Sequence, residues 1–357
     1  MRTSNVCAVL AASVAAACGA ATATAQGPTT AAERATSWAT HQAMERDSYF
    51  RALAWRADGP VKTGARVEAI AIPRGNTGTI YVGVGGGNVW KTVNNGITWR
   101  PIFEHESAFA IGDVAVSPSN SQVVWVGTGE AQPRFSGYDY PGTGVFKSVD
   151  RGASWTPMGL DDTQHIGKVL IHPTDPDIVY VAAIGHQWSP NAERGVFRTR
   201  DGGAHWQKVL FINDSTGVID LAMDPQDPRT LYAWAWQIEQ GRQGGLFKST
   251  DGGDHWRHIS AGLPTGLLGR ANIGVAPGDP NVVYLFLDNR GPTTVPGRPY
   301  VGGEVYRSDD RGDHWRKANT QDLYDVFGVF GWKFADVHVD PRSADHVYIL
   351  GNHAFQS

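Results

Sequence analysis

Ser249-Thr-Asp-Gly-Gly-Asp-His-Trp256 decides the fold, because the same stretch returns four more times in the chain. It stands as Thr92-Val-Asn-Asn-Gly-Ile-Thr-Trp99, Ser148-Val-Asp-Arg-Gly-Ala-Ser-Trp155, Thr199-Arg-Asp-Gly-Gly-Ala-His-Trp206 and Ser308-Asp-Asp-Arg-Gly-Asp-His-Trp315. The shared pattern is Ser/Thr-x-Asp/Asn-x-Gly-x-x-Trp. The tryptophans lie 56, 51, 50 and 59 residues apart. Self-similarity at a fixed period of this size is the signature of repeat architectures and propellers.

A second marker keeps the same phase. Pro118-Ser-Asn-Ser, Pro173-Thr-Asp-Pro, Pro225-Gln-Asp-Pro, Pro277-Gly-Asp-Pro and Pro341-Arg-Ser-Ala each follow an alternating apolar run such as Gly112-Asp-Val-Ala-Val. Each precedes a β-branched or aromatic run such as Ile178-Val-Tyr-Val. Before each repeated box comes a run such as Gly144-Val-Phe-Lys-Ser148, and after each Trp a short run such as Gln207-Lys-Val-Leu-Phe211. The pattern predicts four short strands per period, with an Asx turn between the first two and a tight hairpin between the last two. Asx side chains accept backbone hydrogen bonds in such turns, and Gly supplies positive φ. The Trp is expected to pack its large apolar face under the hairpin. Four-stranded units of this length describe the blades of an all-β propeller. Blades one to five span about 64–104, 108–160, 164–212, 216–261 and 269–319, and a sixth begins at Phe330.

The sixth unit reaches Ser357, where the first residue of the next box falls, so its fourth strand is not in this sequence. Two expectations stand side by side. The chain is the front part of a longer propeller, or Tyr49–Arg56 supplies the outer strand and closes a six-bladed ring. Closure matters because open strand edges invite unwanted pairing. Residues 26–50 read as a tail or one short helix, and 51–357 as the propeller.

The boxes resemble Asp boxes, also called BNR repeats. Ile111-Gly-Asp-Val-Ala-Val-Ser-Pro118, Val126-Gly-Thr-Gly-Glu130 and His172-Pro-Thr-Asp-Pro-Asp-Ile-Val-Tyr-Val-Ala182 resemble secreted bacterial sortilin-type propellers, often labelled glycosyl hydrolase. The resemblance covers roughly residues 51–357. It implies a propeller with peptide, protein or polysaccharide ligands, or xyloglucanase-like or sialidase-like chemistry.

Residues 1–25 read as a secretory signal: Arg2, a small apolar run from Val6 to Ala21, then Ala23-Thr-Ala25 as a cleavage site. Export to the periplasm or beyond follows from it. Lipidation at Cys18 is the rival reading, disfavoured because Ala15 stands where a large aliphatic residue belongs. Both cysteines, Cys7 and Cys18, fall in this segment, so residues 26–357 offer no disulfide, thiolate nucleophile or Cys-ligated metal. The whole chain of 357 residues has net charge −4, with 31 basic and 35 acidic residues. Such a balance gives no general attraction to nucleic acid or anionic lipid. No apolar run reaches transmembrane length.

Alternating strand direction sorts the residues by face. The first-to-second turns and the boxes share one face; the second-to-third loops and the links between blades share the other. Asn94, Asp150, Asp201, Asp251 and Asp310, with Trp99, Trp155, Trp206, Trp256 and Trp315, recur in every blade and read as structural. A catalytic group is needed once, not five times.

The long loops are unique, and function concentrates on unique loops held by a rigid scaffold. Candidate acids there are Glu130, Glu193, Asp139 and Asp162. Candidate ligand contacts are Arg134, Tyr138, His186, Trp188, Arg194, Trp236, Arg242 and Arg298. No His spacing matches a metal motif, and no Walker, Rossmann or G-x-S-x-G pattern stands in a proper setting, so neither metal nor cofactor is expected. The leading reading is an exported module that binds polysaccharide, peptide or protein through its loops. A glycoside hydrolase with paired loop carboxylates is the second reading, and an assembly factor the third.

Overall fold

The repeated box builds the same hairpin five times. Its fourth and fifth residues both take positive φ: Asn95 and Gly96, Arg151 and Gly152, Gly202 and Gly203, Gly252 and Gly253, Arg311 and Gly312. Two successive residues in the left-handed region explain the fixed glycine at the second of them. The Ser or Thr hydroxyl donates to the Asp carboxylate and accepts from the glycine N–H, as in Ser249 Oγ to Asp251 Oδ1 (2.8 Å) and Gly253 N to Ser249 Oγ (2.9 Å). The carboxylate also takes the N–H of the residue before Trp, at 2.9 Å for His205, His255 and His314. Hydrogen bonds from Ser154 and Ser148 pull the Asp150 carboxyl down to about 2, so the hairpin's acceptor stays ionised at neutral pH.

The computed structural model describes residues 29–49, 51, 66–131, 140–237, 243–327 and 335–357. The signal-sequence expectation, and all of Tyr49–Arg56 except Tyr49 and Arg51, lie outside them. A helix, α1 (Ala31–Asp47), is capped at Thr30 by a reciprocal bond with Glu33.

Blade one is β1 (Val67–Ala71), β2 (Ile80–Val84), β3 (Val89–Thr92) and β4 (Arg100–Pro101). Blade two is β5 (Ile111–Val116), β6 (Val124–Thr128), β7 (Val145–Ser148) and β8 (Thr156–Pro157). Blade three is β9 (Ile166–Ile171), β10 (Val179–Ala183), β11 (Gly195–Thr199) and β12 (Gln207–Leu210). Blade four is β13 (Thr216–Met223), β14 (Leu231–Gln237), β15 (Gly245–Ser249) and β16 (Arg257–Ile259). Blade five is β17 (Leu268–Val275), β18 (Val283–Asn289), β19 (Gly302–Ser308) and β20 (Arg316–Lys317). A short helix, α2 (Tyr324–Phe327), then leads to blade six, which has three strands: β21 (Asp336–Val339), β22 (Val347–Leu350) and β23 (Ala354–Gln356). Every sheet is an antiparallel meander in chain order. The six blades form the ring of a β-propeller.

The first strand of each blade is innermost, and neighbouring inner strands touch. They approach so closely that a Cβ on Gly112 would collide with the Ile166 carbonyl, and one on Gly167 with that of Ile219. Side chains at one repeated inner position staple three of the blades to the next. Asp113 accepts from Val169 N at 2.7 Å, Asp220 from Ile273 N at 2.7 Å, and Asn272 from Val337 N at 2.9 Å. These inner strands surround an axial cavity of about 540 Å³.

A second staple lies at the rim. Tyr81 Oη and Lys91 Nζ of blade one both donate to the carbonyl of Arg151 in the next hairpin, at 3.1 and 2.7 Å. Tyr180 Oη and Arg198 Nη1 likewise hold Gly252 O at 2.8 and 2.6 Å, Lys147 Nζ holds Gly202 O at 3.1 Å, and Tyr232 Oη holds Arg311 O at 2.8 Å. The indoles work between blades as well. Trp155 Nε1 donates to Ile102 O and Trp206 Nε1 to Met158 O, each 2.7 Å away in the preceding blade. Trp256 and Trp315 instead donate within their own hairpins, to Gly253 and Gly312. The rings of Trp99, Trp155 and Trp315 lie against their own hairpin glycines, and the indole N–H of the second and third boxes also braces the neighbouring blade.

Five buried apolar clusters each join two successive blades, from one–two to five–six. Among the described residues none joins blade six to blade one.

Candidate functional site

The second-to-third loops and the links meet on one face, as the strand directions require. Asn191 N donates to Asp214 O, and Arg298 pairs with Asp322 at 2.6 Å, each joining a loop to the link after it. Helix α1 lies against this face: Arg34 Nη2 donates to Asp161 O at 2.7 Å and sits 3.7 Å from Asp162. With Trp38, His41, Ser107 and Thr143 it borders an open cleft of about 380 Å³.

Glu130 is 1% exposed and forms an ion pair with Arg66, which enters from the start of blade one. Its carbonyl is 2.9 Å from His165 Nδ1. Arg270 crosses from the inner strand of blade five to the Ala131 carbonyl at 3.1 Å. These residues make a charged, buried collar on the loop side of the ring. Glu193 pairs with Lys208 at 3.2 Å. Asp162 is 3.2 Å from His186 Nε2. Each described candidate acid is thus already held by a cation or a histidine. Arg134, Tyr138, Asp139 and Arg242 lie outside the described residues.

Arg194 is buried. Its guanidinium donates to the carbonyls of Ile184, His186 and Ser189, and burial depresses its pKa to about 10. It clamps the blade-three loop from within and does not face solvent. Trp236 is 5% exposed and belongs to the core between blades four and five. Trp188 differs from both: it is 58% exposed and flanks a cleft of about 300 Å³ with Pro190, Ser215 and Gln237. Arg298 stacks on Tyr324 at 4.3 Å, and Arg290 on Tyr300 at 5.7 Å, giving blade five a cationic–aromatic corner.

Burial pushes acids upward on both faces, among them Glu106 in the link between blades one and two. Asp220 rises to about 6 and Asp113 rises too, both on inner strands, where their carboxylates hold the next blade. Desolvation likewise raises Asp288, against its pairing with Arg290 at 2.8 Å. Sequence reading missed Arg66, Arg270 and the docking of α1. Thr30-x-x-Glu33 is a capping-box signal that could have located the helix start, but nothing in the sequence marks where the helix rests.

Among the described residues no group of three or more His, Cys, Asp or Glu is placed to hold a metal ion, and no helix is long and apolar enough to cross a membrane.

The family pattern described as sortilin, neurotensin receptor 3 (Sortilin-Vps10) matches residues 143–265. No curated protein matches the chain. A GH74 enzyme from Niastella koreensis superposes with TM-score 0.60 at 20% identity, covering 81% of this chain and 44% of the enzyme. The GH74 xyloglucanase of Xanthomonas campestris gives 0.57 at 18% identity, with 82% and 44% covered. YCF48 bound to D1 peptide gives 0.52 at 14% identity, with 83% and 79% covered. The chain spans under half the length of both GH74 enzymes, and at these identities the likeness speaks for the fold. The ring of four-stranded blades makes this chain a β-propeller, and residues 143–265 of it resemble the sortilin pattern.

Proposed function

We propose that this chain is an exported Asp-box propeller that binds a polysaccharide or peptide ligand on its loop face without cleaving it. The observation that carries this reading is the engagement of the three described candidate acids. Glu130 is buried against Arg66, Glu193 is paired with Lys208, and Asp162 is held by His186 and Arg34. A glycosidase needs two carboxyl groups facing one groove, one to protonate the leaving oxygen and one to act as base or nucleophile. Acids tied into the scaffold do not meet that need.

Binding needs only an aromatic platform with polar neighbours. Trp188, beside Ser215 and Gln237, has that composition. His186 and the Arg298–Tyr324 stack extend the polar surface, and Arg134, Tyr138 and Arg242 belong to the same loops by sequence. The likeness to GH74 xyloglucanases favours a polysaccharide, and it also supports the second reading, a hydrolase using Asp139 with a second loop acid.

The test is a panel of polysaccharides and peptides scored for retention and for release of reducing ends. Retention without release is expected, falling about ten-fold in Trp188→Ala, a loss of about 1.4 kcal/mol. Release of reducing ends would establish the hydrolase reading. Absence of retention for every ligand would overturn the binding reading.

A further inference from the structure

The loop between β10 and β11 carries a serine hydroxyl that neither the fold nor the binding reading uses. Ser189 Oγ lies 3.1 Å from His186 Nδ1, and the other ring nitrogen, Nε2, lies 3.2 Å from Asp162 Oδ1 in the link between blades two and three. A carboxylate can only accept, so Nε2 of the neutral ring carries the proton. Nδ1 then turns a lone pair toward the Ser189 hydroxyl. A hydroxyl, a base and a group that orients the base are the parts of an activated serine nucleophile, recognised by geometry and role and not by chain position.

The three groups are held in place from outside. Asn191 Oδ1 accepts from His186 N at 3.0 Å, and its Nδ2 donates to Asp162 O at 3.1 Å, so one amide sets the histidine against the acid. Arg194 donates to the carbonyls of both His186 and Ser189 and fixes the turn between them. Arg34 of α1 brings a positive charge to 3.7 Å from the same Asp162 oxygen. His186 is buried, whereas Ser189 is half-buried and lines the cleft of about 300 Å³ beside Trp188, Ser215 and Gln237. The base is therefore shielded and the hydroxyl accessible. The backbone N–H groups of Trp188 and Ser189 meet no acceptor among the described residues, which leaves them for the oxygen of a tetrahedral adduct.

We propose that Ser189, His186 and Asp162 form an acyl-transfer centre that hydrolyses short-chain carboxylic esters on the hydroxyls of a polysaccharide held at Trp188. The choice of polysaccharide rests on the binding reading above; the ester chemistry does not. His186 Nδ1 takes the Ser189 proton as Oγ bonds to the ester carbonyl carbon, and gives it to the sugar oxygen as the old C–O bond breaks. Water then adds to the acyl-serine, its proton passes through His186 to Oγ, and the carboxylic acid leaves. The glycosidic bonds stay whole, so reducing ends are not released.

The full chain is given p-nitrophenyl acetate and, separately, acetylated xylan, and release of p-nitrophenolate and acetate is followed. Saturable release from both is expected. Ser189→Ala is expected to lower kcat on the small ester at least about 100-fold. Asp162→Asn is expected to lower kcat at unchanged KM, because its amide donates to Nε2 and shifts the ring proton to Nδ1, where it blocks proton uptake. A fluorophosphonate reagent is expected to add to Ser189, located by peptide mass; this is done on the unaltered chain and depends on no variant folding. An inert wild-type chain, a wild-type kcat in either variant, or absence of label at Ser189 overturns the proposal. Retention of polysaccharide by a chain inert toward both esters overturns the acyl-transfer centre alone and leaves the binding reading standing. Hydrolysis of the small ester with no acetate from xylan overturns the assigned polysaccharide ester.

Discussion

The seam between blades two and three and the facing edges of blades six and one are built from the same repeat, yet they end differently. In the first, Trp125 and Trp206 meet edge to face at 6.0 Å, over Ile166, Val169, Val181 and Phe197. Asp113 reaches across to Val169 N, and Lys147 to Gly202 O. In the second, Ile70 is 62% exposed and Trp99 41% on blade one, while Leu350 is 39% exposed on blade six. The difference teaches that a blade is only half of a folding unit. Each sheet presents two apolar faces, and a face becomes core only when another blade covers it.

The largest effect should come from exchanging the indoles of these two places. Trp206→Ala removes a packed ring and its bond to Met158, and is expected to cost about 3 kcal/mol in urea unfolding. Trp99→Ala should stay within about 0.5 kcal/mol. Equal losses would break the comparison.

Next is the rim staple. Tyr180→Phe removes a buried hydroxyl donor from Gly252 O and should cost about 1 kcal/mol by the same assay. Tyr348→Phe, at the exposed edge, should be silent.

The smallest effect concerns the inner staple and is read as pH dependence. Burial raises the Asp220 pKa to about 6, so the folded protein holds this proton more tightly than the unfolded chain. The sign follows: the stability that Asp220 contributes falls as pH rises from about 4 through about 6. Asp220→Asn keeps an oxygen for Ile273 N, as Asn272 already does for Val337 N. Its urea midpoint should therefore change less between pH 4 and 7 than that of wild type. An identical slope in both proteins would remove the charge from the account.

The five hairpins, their period and the strand order were legible because each rests on residues close together in the chain. Ser249, Asp251, Gly253 and Trp256 carry their own geometry. The rim staple was half legible. The basic residue before each box was visible as part of the repeat, but its partner carbonyl lies 54 to 60 residues away in Lys91–Arg151, Lys147–Gly202 and Arg198–Gly252. The loop site was least legible. Glu130 and Arg66 are 64 residues apart, and nothing local to either says that they pair. Trp188 and Trp236 look alike in sequence; only packing against blade five buries the second.

Native-state amide hydrogen exchange tests the central claim, that coverage by a neighbouring blade sets the stability of each sheet. The account predicts slow, collective exchange in β9, β13 and β17, and faster exchange in β1 and β22. Equal protection of β1 and β13 would contradict it, and would mean that the face of blade one carrying Ile70 and Trp99 is covered in solution.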